Sequence, residues 1–292
     1  MRRSFRLMLI FLSIPILGLA SISDSLLIPE SITLPDATHV MASYPLTDRL
    51  PDFSPKTALS EFPTGLSSVS SEDSTSLPFA IHHGDRNQKR IALTMDDCYT
   101  AAYVQETFDL CQKFGVPITF YPLGCVLYEE DRNLWLTIAA SDCEIGTHTQ
   151  THGNMGHGGT YRILSNLLRP QQVLDRLLGY HYPIQTVRPP YGSYADEHGN
   201  VRNTTRLIQR SGFQHVILWD VSQTNPQKAL QAVRNGSILL FHARPADIRC
   251  LSCIIPQLQE QGYEMVTVTE LLGMKKLATS TDLYVFNIED YQ

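Results

Sequence analysis

From Lys89 onward, the sequence alternates between short apolar runs rich in β-branched residues and longer amphipathic stretches. This alternation predicts strands that are each followed by a helix, and therefore parallel pairing with right-handed crossovers. The predicted strands are 91–95, 118–121, 143–146, 186–188, 215–219, 237–241 and 265–268. We therefore expect a distorted (β/α) barrel of about seven parallel strands. An open doubly wound sheet is the alternative.

Helices are predicted between these strands because the intervening segments carry apolar residues at helical spacing. Their predicted ranges are 101–114, 129–141, 170–179, 201–211, 226–234 and 246–261, with a further helix near 269–275. Glycines such as Gly115 and Gly179 follow these segments at positions where left-handed helix caps are expected.

The segment before this domain differs from it in composition. Residues 1–23 place three arginines ahead of a short apolar run that ends in small residues, which is typical of a secretory signal peptide or an N-terminal membrane anchor. Residues 24–86 are rich in proline and serine and predict a linker or loosely packed arm. We expect an exported, extracytoplasmic protein with a catalytic domain at 87–275 and a C-terminal tail at 276–292.

The charge of the chain argues against one class of partner. Its formal net charge is −6 and its pI is near 5.9, so it lacks the basic footprint of a nucleic-acid-binding protein. Export would permit disulfides among the six cysteines, but the sequence does not choose between their possible pairings.

Two histidines four residues apart, His148 and His152, follow the third predicted strand. The first predicted strand ends in two adjacent carboxylates, Asp96 and Asp97. Functional groups of parallel α/β domains gather at the carboxyl ends of strands, so these side chains are expected on one rim. One carboxylate and two imidazoles form a metal-binding set that leaves positions open for water and substrate, and the second carboxylate can face the substrate. Metal-assisted hydrolysis is the natural use of such a site.

Two further strand ends carry polar residues that suit the same chemistry. Arg188 ends the fourth predicted strand and can orient a carboxylate, while backbone N–H groups beside Tyr191 can receive a developing oxyanion. His242 ends the sixth predicted strand and can give a proton to a leaving group.

These ordered motifs resemble the polysaccharide deacetylases of the NodB-homology type, carbohydrate esterase family 4. The family motifs T-F-D-D, H-[ST]-x-x-H, R-x-P-Y and L-x-H are similar to Thr94-Met95-Asp96-Asp97, His148-Thr149-Gln150-Thr151-His152, Arg188-Pro189-Pro190-Tyr191 and Leu240-Phe241-His242. The resemblance covers about residues 90–272, and the family fold is a distorted (β/α) barrel.

The resemblance implies a role for each residue. Asp97, His148 and His152 would bind a divalent metal ion, usually zinc in this family. Asp96 would be the general base, oriented by Arg188. Tyr191 would help to form the oxyanion hole, and His242 would protonate the amine leaving group. The substrate would be an N-acetylated polysaccharide, and the products would be acetate and a free glucosamine-type amine.

The chain departs from the family pattern at two places. Cys98 stands where the family usually has glycine after the paired aspartates. A D-x-x-D-W-like run is expected after the fifth strand, but here Trp219-Asp220-Val221 is followed by Ser222-Gln223-Thr224. In the family that region tunes the acidic histidine and lines the substrate groove. Two alternatives therefore stay open: an O-acetyl esterase or other amide hydrolase, and a non-catalytic glycan-binding protein.

Overall fold

A computed structural model of the chain describes residues 77–287. Its strands, in chain order, are β1 (Ala80–Ile81), β2 (Arg90–Asp97), β3 (Thr119–Pro122), β4 (Glu144–Ile145), β5 (Val216–Ile217), β6 (Ile238–His242) and β7 (Glu264–Met265). All of their pairings are parallel. The expected α/β fold with parallel strands is confirmed.

Strand β2 is the centre of the main sheet, in which the strand order is β4-β3-β2-β6 and β7 also pairs with β2. The register places Asp96 opposite Tyr121 of β3 and opposite His242 of β6. β1 and β5 form a separate two-stranded sheet. The register therefore brings the ends of β2 and β6 together at one rim.

The predicted strand at 186–188 is reduced to bridges at a single residue. Val187 bridges to Thr147 on one side and to Val216 on the other. Val221 bridges to Leu239 of β6. These contacts connect the end of β4 through Val187 and β5 to β6, so most of the predicted strand order is present although several pairings are very short.

The helices are α1 (Ala101–Phe114), α2 (Arg132–Ala139), α3 (Thr160–Leu178), α4 (Arg202–Arg210), α5 (Pro226–Ala232), α6 (Pro245–Glu260) and α7 (Val268–Leu271). The predicted start of the third helix at residue 170 is wrong, because α3 begins at Thr160 and continues through the buried Pro170. A proline usually ends or kinks a helix, and here the packing of its buried face outweighs that local cost. Gly115 and Gly179 take the expected left-handed caps, with φ of 64° and 81°.

The largest apolar cluster lies between the central strands and their helices. Leu93, Phe120 and Leu239 of β2, β3 and β6 are fully buried, as are Cys111 of α1 and Leu251 of α6. Burying each large apolar side chain contributes about 1.5–3 kcal/mol. This packing holds the ends of β2 and β6 in fixed positions.

Residues on both sides of the predicted catalytic domain also contact it. β1, from the segment assigned to the arm, pairs with β5, and Ser280 of the tail bridges to His181. The predicted signal or anchor and residues 24–76 lie outside the described residues. Within residues 77–287, no helix is long and apolar enough to cross a membrane. All six cysteines lie in this range, and they are free thiols.

Candidate active site

The two adjacent carboxylates at the end of β2 are both buried, Asp96 with 2% and Asp97 with 6% of its surface exposed. The backbone turns at this point, because Asp97 has a left-handed φ of 66° whereas Asp96 continues the ladder with β6. The turn directs the two side chains to different partners.

Asp96 pairs with Arg188, which is fully buried. The Nη1 group of Arg188 donates to Oδ1 of Asp96 at 2.7 Å and to Oγ1 of Thr94 at 2.6 Å. Its Nε and Nη2 groups donate to the carbonyl oxygens of Ile217 and Leu218. A buried guanidinium needs this many partners to offset its lost hydration. Arg188 therefore fixes the orientation of the Asp96 carboxylate.

The ring of Tyr121 packs against one face of the Arg188 guanidinium. The guanidinium carbon lies 4.4 Å from the centroid of the Tyr121 ring. This cation–π contact is buried, where it is stronger than at a surface. The ring lies directly against Gly146, where a β-carbon would overlap with it. Gly146 thus leaves room for the ring that supports Arg188.

Asp97, His148 and His152 form one cluster, whose ligand atoms lie within 4.8 Å of one another. Oδ1 of Asp97 is 3.3 Å from Nε2 of His152 and 3.6 Å from Nε2 of His148. That oxygen is buried and has no hydrogen-bond partner among the described residues. A buried acceptor without a partner is costly, so a cation bound between these three side chains would satisfy it.

The hydrogen bonding of His148 also fits a metal site. Its Nδ1 lies 2.8 Å from the carbonyl oxygen of Arg188, an acceptor, so Nδ1 carries the proton. This leaves the lone pair of Nε2 directed toward Asp97. Metal-binding histidines commonly donate their second N–H to a carbonyl in this way. The nitrogen and oxygen donors suit zinc or a similar divalent ion.

His152 completes the cluster at its more exposed side. Burial, together with the neighbouring His148, lowers the pKa of His152 below its usual value near 6.5. The neutral imidazole is the form that binds a metal ion. Its ring lies 4.7 Å from the ring of Tyr191, centroid to centroid.

Tyr191 lies in a short turn that follows Pro189 and Pro190 and that has 3₁₀ hydrogen bonding. Its φ is 61°, and its ring is 69% exposed. The next residue, Gly192, packs against the ring of Trp219, so these residues form one wall beside the site. The two prolines restrict the backbone and fix the direction of the Tyr191 N–H.

His242 lies at the end of β6, opposite Asp96. Asp247, a buried residue in the first turn of α6, accepts from the backbone N–H of His242 at 3.2 Å, and the same oxygen is 4.0 Å from Nδ1 of His242. Asp220 does not take this place, because its carboxylate binds Arg86, Ser237 and the backbone N–H of Ile238.

Backbone strain is concentrated around these residues. Among the described residues, five residues other than glycine have a left-handed φ: Asp97, Cys98, Thr149, His152 and Tyr191. Each such conformation costs about 1–3 kcal/mol unless packing imposes it, and such residues cluster at functional sites. Cys98, with φ of 58°, occupies a conformation that glycine adopts freely, which explains glycine at this position in the family.

The structure brings the seven predicted site residues to one rim, at the carboxyl ends of β2 and β6 and the loops beside them. Their roles stay predictions. Sequence reasoning missed Tyr121 and Asp247. Tyr121 had no signal, because it lies within an apolar strand, whereas Asp247 could have been found as the first acidic residue after His242.

The fold and the site define the class of this protein as a parallel α/β domain with a candidate metal-binding site at one rim of its sheet. The polysaccharide deacetylase family model matches residues 83–209. With the structural similarities below, this match confirms the predicted resemblance to the polysaccharide deacetylases of the NodB type, carbohydrate esterase family 4.

Two relatives are named as peptidoglycan deacetylases. The chain is 29% identical over 206 residues to the peptidoglycan-N-acetylmuramic acid deacetylase PdaC of Bacillus subtilis, covering 66% of this chain but only 40% of PdaC. It is 27% identical over 206 residues to the peptidoglycan-N-acetylglucosamine deacetylase of Bacillus cereus, covering 65% of this chain and 91% of that protein.

A solved structure shares the fold with a TM-score of 0.60 and 26% identity, over 69% of this chain and 74% of the other. That protein is a mutant of BA3943 from Bacillus anthracis, described as a family 4 pseudoenzyme with restored enzymatic activity. Similarity to this family therefore does not by itself establish turnover, which depends on the residues of each site.

Proposed function

We propose that this chain is a metal-dependent deacetylase that removes N-acetyl groups from N-acetylglucosamine-type residues of a cell-envelope or extracellular polysaccharide, with release of acetate. One observation carries the proposal: the unpartnered Asp97 oxygen faces two histidine nitrogens beside the buried pair of Asp96 and Arg188. The Asp97 oxygen with the two histidine nitrogens suits metal binding, and the pair of Asp96 and Arg188 suits proton transfer.

Asp97, His148 and His152 would hold the ion, for which zinc is our proposal. A bound divalent ion supplies a Lewis acid that polarises the acetamide carbonyl and acidifies water. The protein supplies the geometry, because the bond from His148 to the Arg188 carbonyl fixes the imidazole that faces Asp97.

Asp96 would accept the proton of the attacking water. Its Oδ1 is held by Arg188, while its Oδ2 lies 3.8 Å from Nε2 of His148 and thus faces the metal-binding cluster. This arrangement leaves one oxygen for positioning and the other for proton transfer. General base catalysis by a positioned carboxylate contributes roughly 10²–10⁴-fold to a rate.

The backbone N–H of Tyr191 would donate to the oxyanion that develops on the acetamide carbonyl. His242 would then give a proton to the departing amine as the bond from carbonyl carbon to nitrogen breaks. Asp247, whose carboxylate is bound to the backbone of His242, would hold this histidine in place. It would replace the carboxylate that the family run after the fifth strand usually provides.

The proposed function includes an extracytoplasmic location of the protein and a polysaccharide substrate. The arginine-led apolar segment at 1–23 supports export, with a possible membrane tether through the same residues. The names of the two relatives support peptidoglycan as the polysaccharide, because both are peptidoglycan deacetylases.

The test is acetate release by the purified chain from peptidoglycan fragments and N-acetylglucosamine oligomers, with added zinc and with a chelator. We expect release that requires the metal ion and that is lost in Asp96→Asn. An aryl acetate and an acetylated xylan test the esterase alternative. No acetate from either N-acetylated substrate, with metal demonstrably bound, would refute the proposed activity.

A further inference from the structure

The loop from His148 to His152 carries backbone strain between its two histidines. Thr149 and His152 both have a left-handed φ, of 74° and 57°. In residues other than glycine this conformation is unfavourable, and it persists only where neighbouring contacts impose it. His148 has contacts of its own, because its backbone N–H donates to the carbonyl oxygen of Pro122 at 3.0 Å and its Nδ1 binds the carbonyl oxygen of Arg188. His152 lies at the other end of the loop, where the two residues before it determine its position.

Those two residues, Gln150 and Thr151, are held by α3. The backbone N–H of Gln150 donates to the carbonyl oxygen of Asn166 at 3.0 Å, and its own carbonyl oxygen accepts from Cys125. The backbone N–H of Thr151 donates to Oδ1 of Asn166 at 3.2 Å, and its hydroxyl donates to the same oxygen at 2.9 Å. Nδ2 of Asn166 donates to the carbonyl oxygen of Arg162, which directs Oδ1 toward the loop. Asn166 therefore accepts three hydrogen bonds from the residues that precede His152.

The backbone carbonyl of Asn166 can accept from the loop because of Pro170. In an α-helix, each carbonyl oxygen accepts from the N–H four residues later, and proline has no N–H. Asn166 lies four residues before Pro170 in α3, so its carbonyl lacks the usual partner and binds the N–H of Gln150 instead. The side chain of Gln150 packs at the same place, because a β-carbon on Gly124 would overlap with its Oε1 and lie 3.2 Å from Cα of Pro170. The proline inside the helix thus provides an acceptor for the loop of the metal site.

We propose that Asn166 is a positioning residue for the metal site, and that it holds His152 through its Oδ1 and through the carbonyl oxygen that Pro170 leaves free. The ligand of the site is the divalent ion of the proposed function. Asn166 does not touch this ion but fixes the backbone from which His152 projects. Outer partners of metal ligands commonly change metal affinity by about 10- to 100-fold. The proposal rests on the metal site of the proposed function and not on turnover.

Zinc affinity tests this role separately from catalysis. The metal-free full chain is titrated with zinc against a chelating indicator, at a temperature where circular dichroism shows every variant folded. Asn166→Ala removes Oδ1 and should weaken zinc binding by roughly 10-fold. Asn166→Asp keeps an acceptor for Thr151 and should recover most of the affinity. Ser165→Ala is the matched control, because this neighbouring buried hydroxyl has no hydrogen-bond partner among the described residues, and it should bind zinc as the wild type does.

Pro170→Ala tests the backbone carbonyl of Asn166. The substitution restores an N–H that competes with Gln150 for this carbonyl, so zinc binding should weaken by roughly 3- to 10-fold, the range for one hydrogen bond. The helix itself becomes more favourable, so the thermal unfolding temperature of the metal-free chain should not fall. If Pro170 only supported the fold, the substitution would lower the unfolding temperature and leave zinc affinity unchanged.

Three results would overturn the role of Asn166. They are a zinc affinity of Asn166→Ala within about twofold of wild type, an equal loss of affinity in Ser165→Ala, and an unchanged affinity in Pro170→Ala. Acetate release is measured on the same proteins. Zinc binding that depends on Asn166 in a chain that releases no acetate would refute the proposed activity alone. Acetate release with a zinc affinity independent of Asn166 would refute the positioning role alone.

Discussion

Two buried carboxylates of the main sheet, Asp97 on β2 and Glu144 on β4, have different surroundings. Asp97 ends β2, and its Oδ1 has no hydrogen-bond partner but faces two histidine nitrogens. Glu144 begins β4 and accepts from the hydroxyls of Thr119, Thr186 and Thr269 and from the backbone N–H of Thr269.

The surroundings of Asp97 suit a bound ion, whereas those of Glu144 suit a stabilising hydrogen-bond network. Both carboxylates lose hydration on burial. Protein donors offset part of this loss at Glu144, whereas Oδ1 of Asp97 has no donor among the described residues. Glu144 joins β3, β4 and the start of α7 through hydroxyl and amide donors. At Asp97, the neighbouring groups are nitrogen ligands, held in part by strained backbone at His152. An oxygen left without a donor is therefore informative when metal ligands surround it.

The largest expected effect contrasts the two carboxylates directly. Asp97→Asn removes a charged metal ligand and should reduce acetate release by roughly 10³-fold, since metal assistance is worth several kcal/mol. Glu144→Gln should retain acetate release within about twofold, because none of the hydrogen-bond partners of Glu144 is one of the seven predicted site residues. Initial rates with saturating zinc measure both. Similar losses of acetate release in the two variants would contradict the different roles of Asp97 and Glu144.

The next effect tests which carboxylate supports His242. Asp247→Asn should lower kcat by roughly 10- to 100-fold, the range for loss of an outer partner of a functional group, with KM little changed. Asp247→Glu should restore part of the rate. Asp220→Asn is the matched control, because Asp220 binds Arg86 and Ser237 and should affect stability alone. A larger loss of kcat in the Asp220 variant would reverse our assignment.

A smaller effect tests the support of Arg188. Gly146→Ala should destabilise the fold by about 1–3 kcal/mol, because the added methyl group overlaps with the Tyr121 ring. It should also lower kcat by moving the ring under Arg188. Gly159→Ala, where no atom lies within 4 Å of the added carbon, should cost less and leave kcat unchanged. Thermal unfolding measures the stability of both variants, and steady-state kinetics measures their kcat. The same stability and the same kcat in the two variants would count against a positioning role for Tyr121.

The smallest effect concerns the pH dependence of stability. Burial raises the pKa of Glu144 above its usual value near 4.5, so the folded state binds this proton more tightly than the unfolded state does. The contribution is present below the unfolded pKa and is lost as the pH rises through the folded pKa. Relative to wild type, Glu144→Gln should therefore gain stability as the pH rises above about 4.5. Denaturant unfolding from pH 4 to 7 measures this, and a pH-independent difference would contradict it.

Much of the candidate site follows from the sequence, because local patterns place Asp96, Asp97, His148, Arg188 and His242 at strand ends. The parallel connection of strands by helices then brings those ends to one rim. Ranges such as that of α1 are equally local, since apolar spacing and the Gly115 cap define them.

Other features depend on tertiary packing and have no local signal. The start of α3 was mispredicted because Pro170 is a local helix breaker that long-range packing tolerates. The reduction of 186–188 to bridges, the ring of Tyr121 beneath Arg188 and the position of Asp247 beside His242 all arise from contacts between distant segments. Glu144 accepts hydrogen bonds from residues up to 125 positions away, and these residues form no sequence motif.

The most direct test of the account is the metal content of the purified chain. After removal of metal and reconstitution with zinc, elemental analysis should find about one ion per wild-type chain and per Glu144→Gln chain. Asp97→Asn and His148→Ala should bind little or none while remaining folded by circular dichroism. Wild-type protein that binds no ion, or an Asp97→Asn variant that binds as much as wild type, would contradict the central claim that this carboxylate and its two histidines form a metal site.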